Sequence, residues 1–215
     1  SHEPVSPRKG LVIQICLALG LGIPFLYIYF KDLLNTRIIS RDDLKRIAHI
    51  PFLGEIGYTK SNSPIVIDSK SKSHVSEQFR VVRTNLQYVH GKDTGKGRVT
   101  LVTSSISGEG KSFFAANLAV ALAITGRKVV LMEMDLRKPK LSQYIKINHE
   151  SGITQYLVGL ATRDEIIMPS GINPSLDFIS SGPIPPNPSE LLMNESLDQL
   201  IDQIKNTYDD IIIDT

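Results

Sequence analysis

Cysteine is nearly absent. Cys16 stands alone in 215 residues, so no disulfide can close within the chain and a disulfide-stapled fold is excluded. An excess of one charge is missing too. With 24 Lys+Arg against 22 Asp+Glu, the formal net charge is +2, which argues against a strongly basic nucleic-acid binder and against an acidic tail. No nucleic-acid partner is therefore expected. No internal repeat is visible. What is present is enough apolar content for a core: hydrophobic residues make up 41%, which excludes wholesale disorder. The length suits one or two domains. The chain begins without Met and stops at Ile-Ile-Ile-Asp214-Thr215, and it is read as a fragment.

Charge is absent altogether from Leu11 to Phe30. Sixteen of these twenty residues are apolar, the exceptions being Gln14, Gly20, Gly22 and Pro24. Twenty helical residues span ~30 Å, the thickness of a bilayer's hydrocarbon core. A buried core helix would keep a polar stripe, and a signal peptide would have a shorter apolar run. Residues 11–30 are therefore predicted to cross a membrane, with Tyr27, Tyr29 and Phe30 at the aromatic belt. Cys16 packs there as a small apolar residue. Arg8 and Lys9 precede the span, while Lys31, Arg37, Arg41, Lys45 and Arg46 follow it. This excess puts the C-terminal side in the cytoplasm and leaves residues 1–10 as an outer flank.

Residues 31–73 read as a cytoplasmic linker. Asp42, Asp43 and Leu44 could open a brief helix ended by Pro51, and the tracts Ser61 to Pro64 and Ser69 to Ser73 are polar. Residues 75–90 have helical spacing, with Phe79, Val82, Leu86 and Val89 on one face and Glu77, Arg80 and Arg83 on another. Beyond them, strand-like runs (99–103, 128–132, 176–180 and 210–214) alternate with helical ones (112–125 and 191–208). Short apolar runs separated by helices predict a parallel sheet covered on both faces.

Ser105-Ile-Ser-Gly-Glu-Gly-Lys-Ser112 fits the phosphate-binding loop G-x-x-x-x-G-K-[ST], with Ser105 in place of the first Gly. Gly108 and Gly110 let consecutive N–H groups turn toward a phosphate, and the following helix adds its positive end. Lys111 can reach the β- and γ-phosphates, and the Ser112 hydroxyl can bind Mg²⁺. The strand ending in Asp214 supplies a carboxylate on the ligand side of a parallel sheet. Glu133, Asp135 and Arg137 alternate at the exit of another strand, where a carboxylate can act as general base. Surface charges at a strand exit would look the same.

These residues resemble those of the bacterial tyrosine kinases, within the polysaccharide co-polymerase family. The resemblance is carried by Ser107-Gly-Glu-Gly-Lys-Ser112, by the Walker A′ stretch Met134-Asp-Leu-Arg-Lys-Pro139, by Gly182 to Leu192 and by the Walker B strand, Tyr208 to Thr215. Glu77-Gln-Phe-Arg80-Val-Val-Arg83 matches the family's E-x-x-R-x-x-R oligomerisation motif. Pro4 to Lys9 is similar to the approach to its second transmembrane helix.

The resemblance implies a P-loop NTPase α/β fold over 74–215, preceded by one transmembrane helix in the bacterial inner membrane. It implies an ATP- and Mg²⁺-dependent tyrosine autokinase that regulates capsule or exopolysaccharide chain length and export. Lys111, Asp135 and Arg137 would be catalytic. Ser107, Gly108, Glu109, Gly110, Lys111, Ser112 and Phe113 would cradle the nucleotide, and Ser112, Asp135 and Asp214 would serve the metal. Glu77, Arg80 and Arg83 would join subunits into a ring that phosphorylates in trans and works with the export machinery.

Two other functions fit the same features: a nucleotide-binding chain-length regulator without kinase activity, and a membrane-anchored partition-type ATPase. Ile106 counts against the latter, since the related partition ATPases carry a lysine at that position. The first Walker A′ acid, usually Asp, is Glu133. None of the seven tyrosines forms the family's terminal cluster. The Glu77, Arg80, Arg83 stripe could be a solvated helix face. Gly182 to Asn187 reads as a rigid turn, with Ser189 capping the helix that follows and Glu190 in its first turn.

Overall fold

The computed structural model describes residues 9–34, 50–59, 63–68, 71, 73–91, 95–147 and 151–215. It divides into two units, Ser1–Pro51 and Phe52–Thr215. The expected turn of helix at Asp42 to Leu44 and most of the basic flank of the span lie outside the described residues.

The first unit contains α1 (Lys9–Leu33), with Pro24 inside it. From Gly10 to Leu33 it is long and apolar enough to cross a membrane. Its large apolar side chains are exposed, Leu21 and Phe25 each to 69%. Such a surface suits lipid rather than water.

The second unit is built on a five-stranded sheet. Its elements are α2 (His74–His90), β1 (Arg98–Val102), α3 (Lys111–Ala123), β2 (Val129–Glu133), α4 (Leu141–Ile145), α5 (Ile153–Leu157), α6 (Arg163–Ile166), β3 (Ile167–Pro169), β4 (Leu176–Ile179), α7 (Pro188–Leu191), α8 (Glu195–Lys205) and β5 (Asp210–Asp214). The strand order is β1-β5-β2-β4-β3. The pairings β1–β5, β5–β2 and β2–β4 are parallel, and β3 runs antiparallel to β4. The sheet is thus mixed at one edge, where a wholly parallel one was expected. Ile167-Met-Pro169 is too short to show a period, so β3 could not be read beforehand.

β2 and β5 are buried at every position. Side chains alternate between the faces, so a doubly covered strand must be apolar on both. Val129, Leu131, Phe178 and Ile212 join α2 and α3 in one core. Val130, Met132, Ile179, Ile211 and Ile213 join α5 and α8 in the other. Phe79 of α2 packs against the rings of Phe113 and Phe114, 5.8 and 5.6 Å away. Val89 was expected on that buried face but is exposed; Val75, Phe79, Val82 and Leu86 form it instead. The helix ends one residue after Val89, with Gly91 as its cap.

Part of the stretch read as linker is packed. The Val66 amide donates to Asn117 Oδ1 (2.9 Å), while Asn117 Nδ2 donates to Pro64 O (2.9 Å). Asn117 lies fully buried on α3, so its amide finds in this segment the partners that burial requires. The single helix expected over 191–208 is two, α7 and α8. They divide at Asn194, whose side chain accepts from Ser196 N (3.0 Å) and starts a new helix. Ser189 is not a cap, because it lies inside α7 behind Asn187.

Candidate nucleotide site

Parallel strands align their C-terminal ends along one edge, and loops from those ends meet there. β1 delivers the loop 103–110, β2 the stretch 134–140, and β5 ends at Asp214. Gly108 (φ 94°) and Gly110 (φ 92°) both adopt the left-handed conformation that side chains disfavour. Gly110 hands the chain to α3, leaving the first amides of α3 free to face an anion. Within the loop, the Ser104 hydroxyl donates to Ile106 O (2.8 Å) and the Ile106 amide donates to Glu109 Oε2 (3.2 Å). Glu109 thus braces the loop.

A cavity of about 220 Å³ joins Ser107, Gly108, Gly110, Lys111, Ser112 and Phe113 to Asp135 and Asp214. The sequence-predicted cradle therefore meets both carboxylates; Glu109 and Arg137 do not line this cavity. Lys138, Lys140 and Tyr144 line it as well and had not been singled out. The closely spaced Lys138-Pro-Lys140 was the available signal. Asp135 Oδ1 accepts from the amides of Arg137 (3.2 Å) and Lys138 (3.0 Å), which folds the start of this stretch into a turn. Arg137 reaches outward, its Nη2 donating to Ser189 Oγ (3.0 Å).

Asp214 is 2% exposed, and its Oδ1 has no hydrogen-bond partner among the described residues. Burial pushes its carboxyl up from the usual range; a hydrogen bond from Ser112 and the charge of Lys111 oppose this, while Glu133 and Asp135 add to it. A buried, unpartnered carboxylate oxygen beside a serine hydroxyl is a donor set suited to a hard divalent cation.

Glu133 is wholly buried and differently employed. Its Oε1 accepts from Leu141 N (2.6 Å) and Ser142 N (3.2 Å). Its Oε2 accepts from Ser181 N (3.3 Å), from Ser181 Oγ (3.2 Å) and from the Ser142 hydroxyl.

The charged stripe on α2 was expected to face outward and be free for a neighbouring subunit, but both of its arginines are engaged within their own domain. Arg83, half-buried, donates to Ala121 O (2.9 Å) in the last turn of α3. Burial, and then the neighbouring charge of Arg80, pull its pKa down. Arg80 pairs with Glu77 and donates to Ser71 O (2.9 Å). A helix wheel shows which face a residue occupies but not that a long guanidinium can bend back onto its own domain.

Comparison with known proteins shows the family of the domain that carries this site. The family described as CobQ/CobB/MinD/ParA nucleotide binding domain matches residues 100–212. Tyrosine-protein kinase YwqD of Bacillus subtilis is 37% identical over 151 residues, covering 70% of this chain and 62% of that protein. A Klebsiella pneumoniae protein named for a tyrosine-protein kinase in the cps region is 29% identical over 231 residues, covering 100% of this chain. This chain spans 31% of that protein's length. Among solved structures, the kinase domain of Escherichia coli tyrosine kinase ETK superposes with a TM-score of 0.74 at 26% identity, over 82% of this chain and 72% of that one.

Proposed function

Because the chain belongs to the CobQ/CobB/MinD/ParA nucleotide-binding domain family, and its relatives are named tyrosine-protein kinases, we propose that it serves an ATP-dependent protein-tyrosine autokinase. The observation that carries this reading is the meeting of Lys111, Ser112, Asp135 and the unpartnered Asp214 Oδ1 around one cavity. The loop amides and Lys111 hold the β- and γ-phosphates of ATP. Ser112 and Asp214 would hold Mg²⁺, which when bound neutralises charge on the phosphates. Asp135 takes the proton of the acceptor tyrosine as its oxygen bonds to the γ-phosphorus and the β–γ bridge breaks, leaving ADP.

The apolar α1 anchors the protein in the bacterial inner membrane, with the nucleotide domain in the cytoplasm. One relative is named for a tyrosine-protein kinase in the cps region; for this protein the proposed role is the regulation of capsule or exopolysaccharide chain length, alongside the export machinery. Glu77, Arg80 and Arg83 contribute to a homo-oligomeric ring in which one subunit phosphorylates the next.

The test is transfer of label from γ-labelled ATP to tyrosine in the full-length protein. Wild type should incorporate label, and Lys111→Met should lose at least ~10²-fold of it by removing a charge from the phosphates. Label on tyrosine at the wild-type rate in Lys111→Met would overturn the reading.

A further inference from the structure

Glu133 occupies the position of a second active-site acid, yet its surroundings give it no opening toward a substrate. It is 0% exposed, and four donors converge on its two oxygens, with a fifth, the Ser181 hydroxyl, shared between Oε2 and Gly182 O. An ionised carboxylate offers about four lone-pair sites. All are therefore in use, and none remains to accept a proton from a reacting hydroxyl.

The donors come from two places distant in sequence. Leu141 and Ser142 begin α4, and Ser181 follows β4. Between Glu133 and Leu141 runs the stretch 134–140, which brings Asp135, Lys138 and Lys140 to the cavity wall. Its start is fixed by the β-strand and by the turn at Asp135. Its far end is fixed by the bonds from Leu141 and Ser142 to Glu133. Ser181 ties the same carboxylate to the neighbouring strand's exit. Glutamate's extra methylene has a purpose in this arrangement: an aspartate rooted at the end of β2 would fall about 1.5 Å short, the length of one carbon–carbon bond.

We infer that Glu133 is a positioning residue, not a base: it closes the 134–140 stretch into a rigid loop that holds Asp135 and the two lysines against the phosphate cradle. The inference rests on the kinase reading above for its activity readout, but not for its fold readout.

The two roles predict opposite orders among variants. A base must keep a carboxylate, so Glu133→Asp would outperform Glu133→Gln. A brace must keep reach. Gln preserves a carbonyl for Leu141 N and Ser142 N, and the serine hydroxyls can turn to accept from its amide. Only the longest bond, from Ser181 N, is left facing a donor.

In the full-length protein, Glu133→Gln should keep kcat within ~10-fold of wild type. Glu133→Asp should lose ~10²-fold, the scale of a misplacement near 1 Å. KM for Mg·ATP should stay within ~3-fold in both, because the loop 103–110 makes no bond to Glu133. Thermal melts should follow the same order, Asp melting below Gln, and they can be read whether or not phosphotransfer is seen. Ser142→Ala with Ser181→Ala removes only hydroxyl donors and should fold, with a smaller loss in kcat. Asp above Gln in activity or in melting temperature would overturn the inference, as would wild-type activity in all three variants.

Discussion

Glu133 and Asp214 are register partners at the ends of adjacent parallel strands, both buried, and one carboxylate is saturated with donors while the other has an oxygen with none. Strand pairing sets them side by side, and local loops separate their fates. Glu133 has met its hydrogen bonds within the fold, so its burial is compensated. Asp214 has not, and a buried carboxylate without full compensation raises the free energy of the folded state.

Asp214→Asn should therefore stabilise the nucleotide-free protein. The sign follows from its raised pKa. A carboxyl raised above its unfolded value stabilises the fold relatively at low pH, and that contribution is lost as pH rises through the folded pKa. At neutral pH the wild type carries this cost and the asparagine variant does not. The melting temperature at pH 7 should rise while the further stabilisation by Mg·ATP disappears. A variant that melts lower without ligand, in a scan with and without Mg·ATP, would show that the unpartnered oxygen is not a cost.

Asp135→Asn keeps shape and removes basicity. The carbonyl oxygen of asparagine can still accept from Arg137 N and Lys138 N, so the turn should survive. Tyrosine phosphorylation should fall on the order of 10²–10⁴-fold, the usual worth of a positioned general base. Affinity for Mg·ATP should change much less. Phosphotyrosine formation at the wild-type rate, measured by label transfer, would move Asp135 out of the proton-transfer role.

Much of the second unit was legible because its strands are apolar on both faces and its loops carry glycines where phosphates would be held. Asp210-Ile-Ile-Ile-Asp214 could hardly be anything but a buried strand. The phosphate loop was legible because Gly108, Gly110, Lys111 and Ser112 each have a steric or chemical reason at that spacing. What stayed hidden depended on contacts across the fold. α4, α5 and α6 have five, five and four residues, too few for a helical period to emerge. The employment of Glu133 was hidden because its donors come from distant places, Ser142 from the start of α4 and Ser181 from beyond β4. The segment 64–66 looked like linker because backbone atoms, which sequence does not distinguish, make its bonds to Asn117.

The stripe on α2 has two duties that one experiment can separate. Arg83 donates to Ala121 O at the end of α3, where a cation also meets the negative end of the helix. Arg83→Ala should thus destabilise the subunit itself by about 1 kcal/mol, the net worth of a partly exposed hydrogen bond. Glu77 and Arg80 pair on the outside, where an exposed pair contributes ~0–1 kcal/mol, and Arg80 adds its bond to Ser71 O. If the stripe joins subunits, Glu77→Ala with Arg80→Ala should lower melting by no more than the loss of the one bond to Ser71 and convert oligomer to monomer. Arg is suited to the contact because its planar fork can pair with a carboxylate through two bonds. Light scattering of the full-length protein in detergent, before and after the double substitution, decides the matter: an oligomer that persists with an unchanged mass would leave the stripe with only its internal duties, the bonds from Arg83 to α3 and from Arg80 to Ser71.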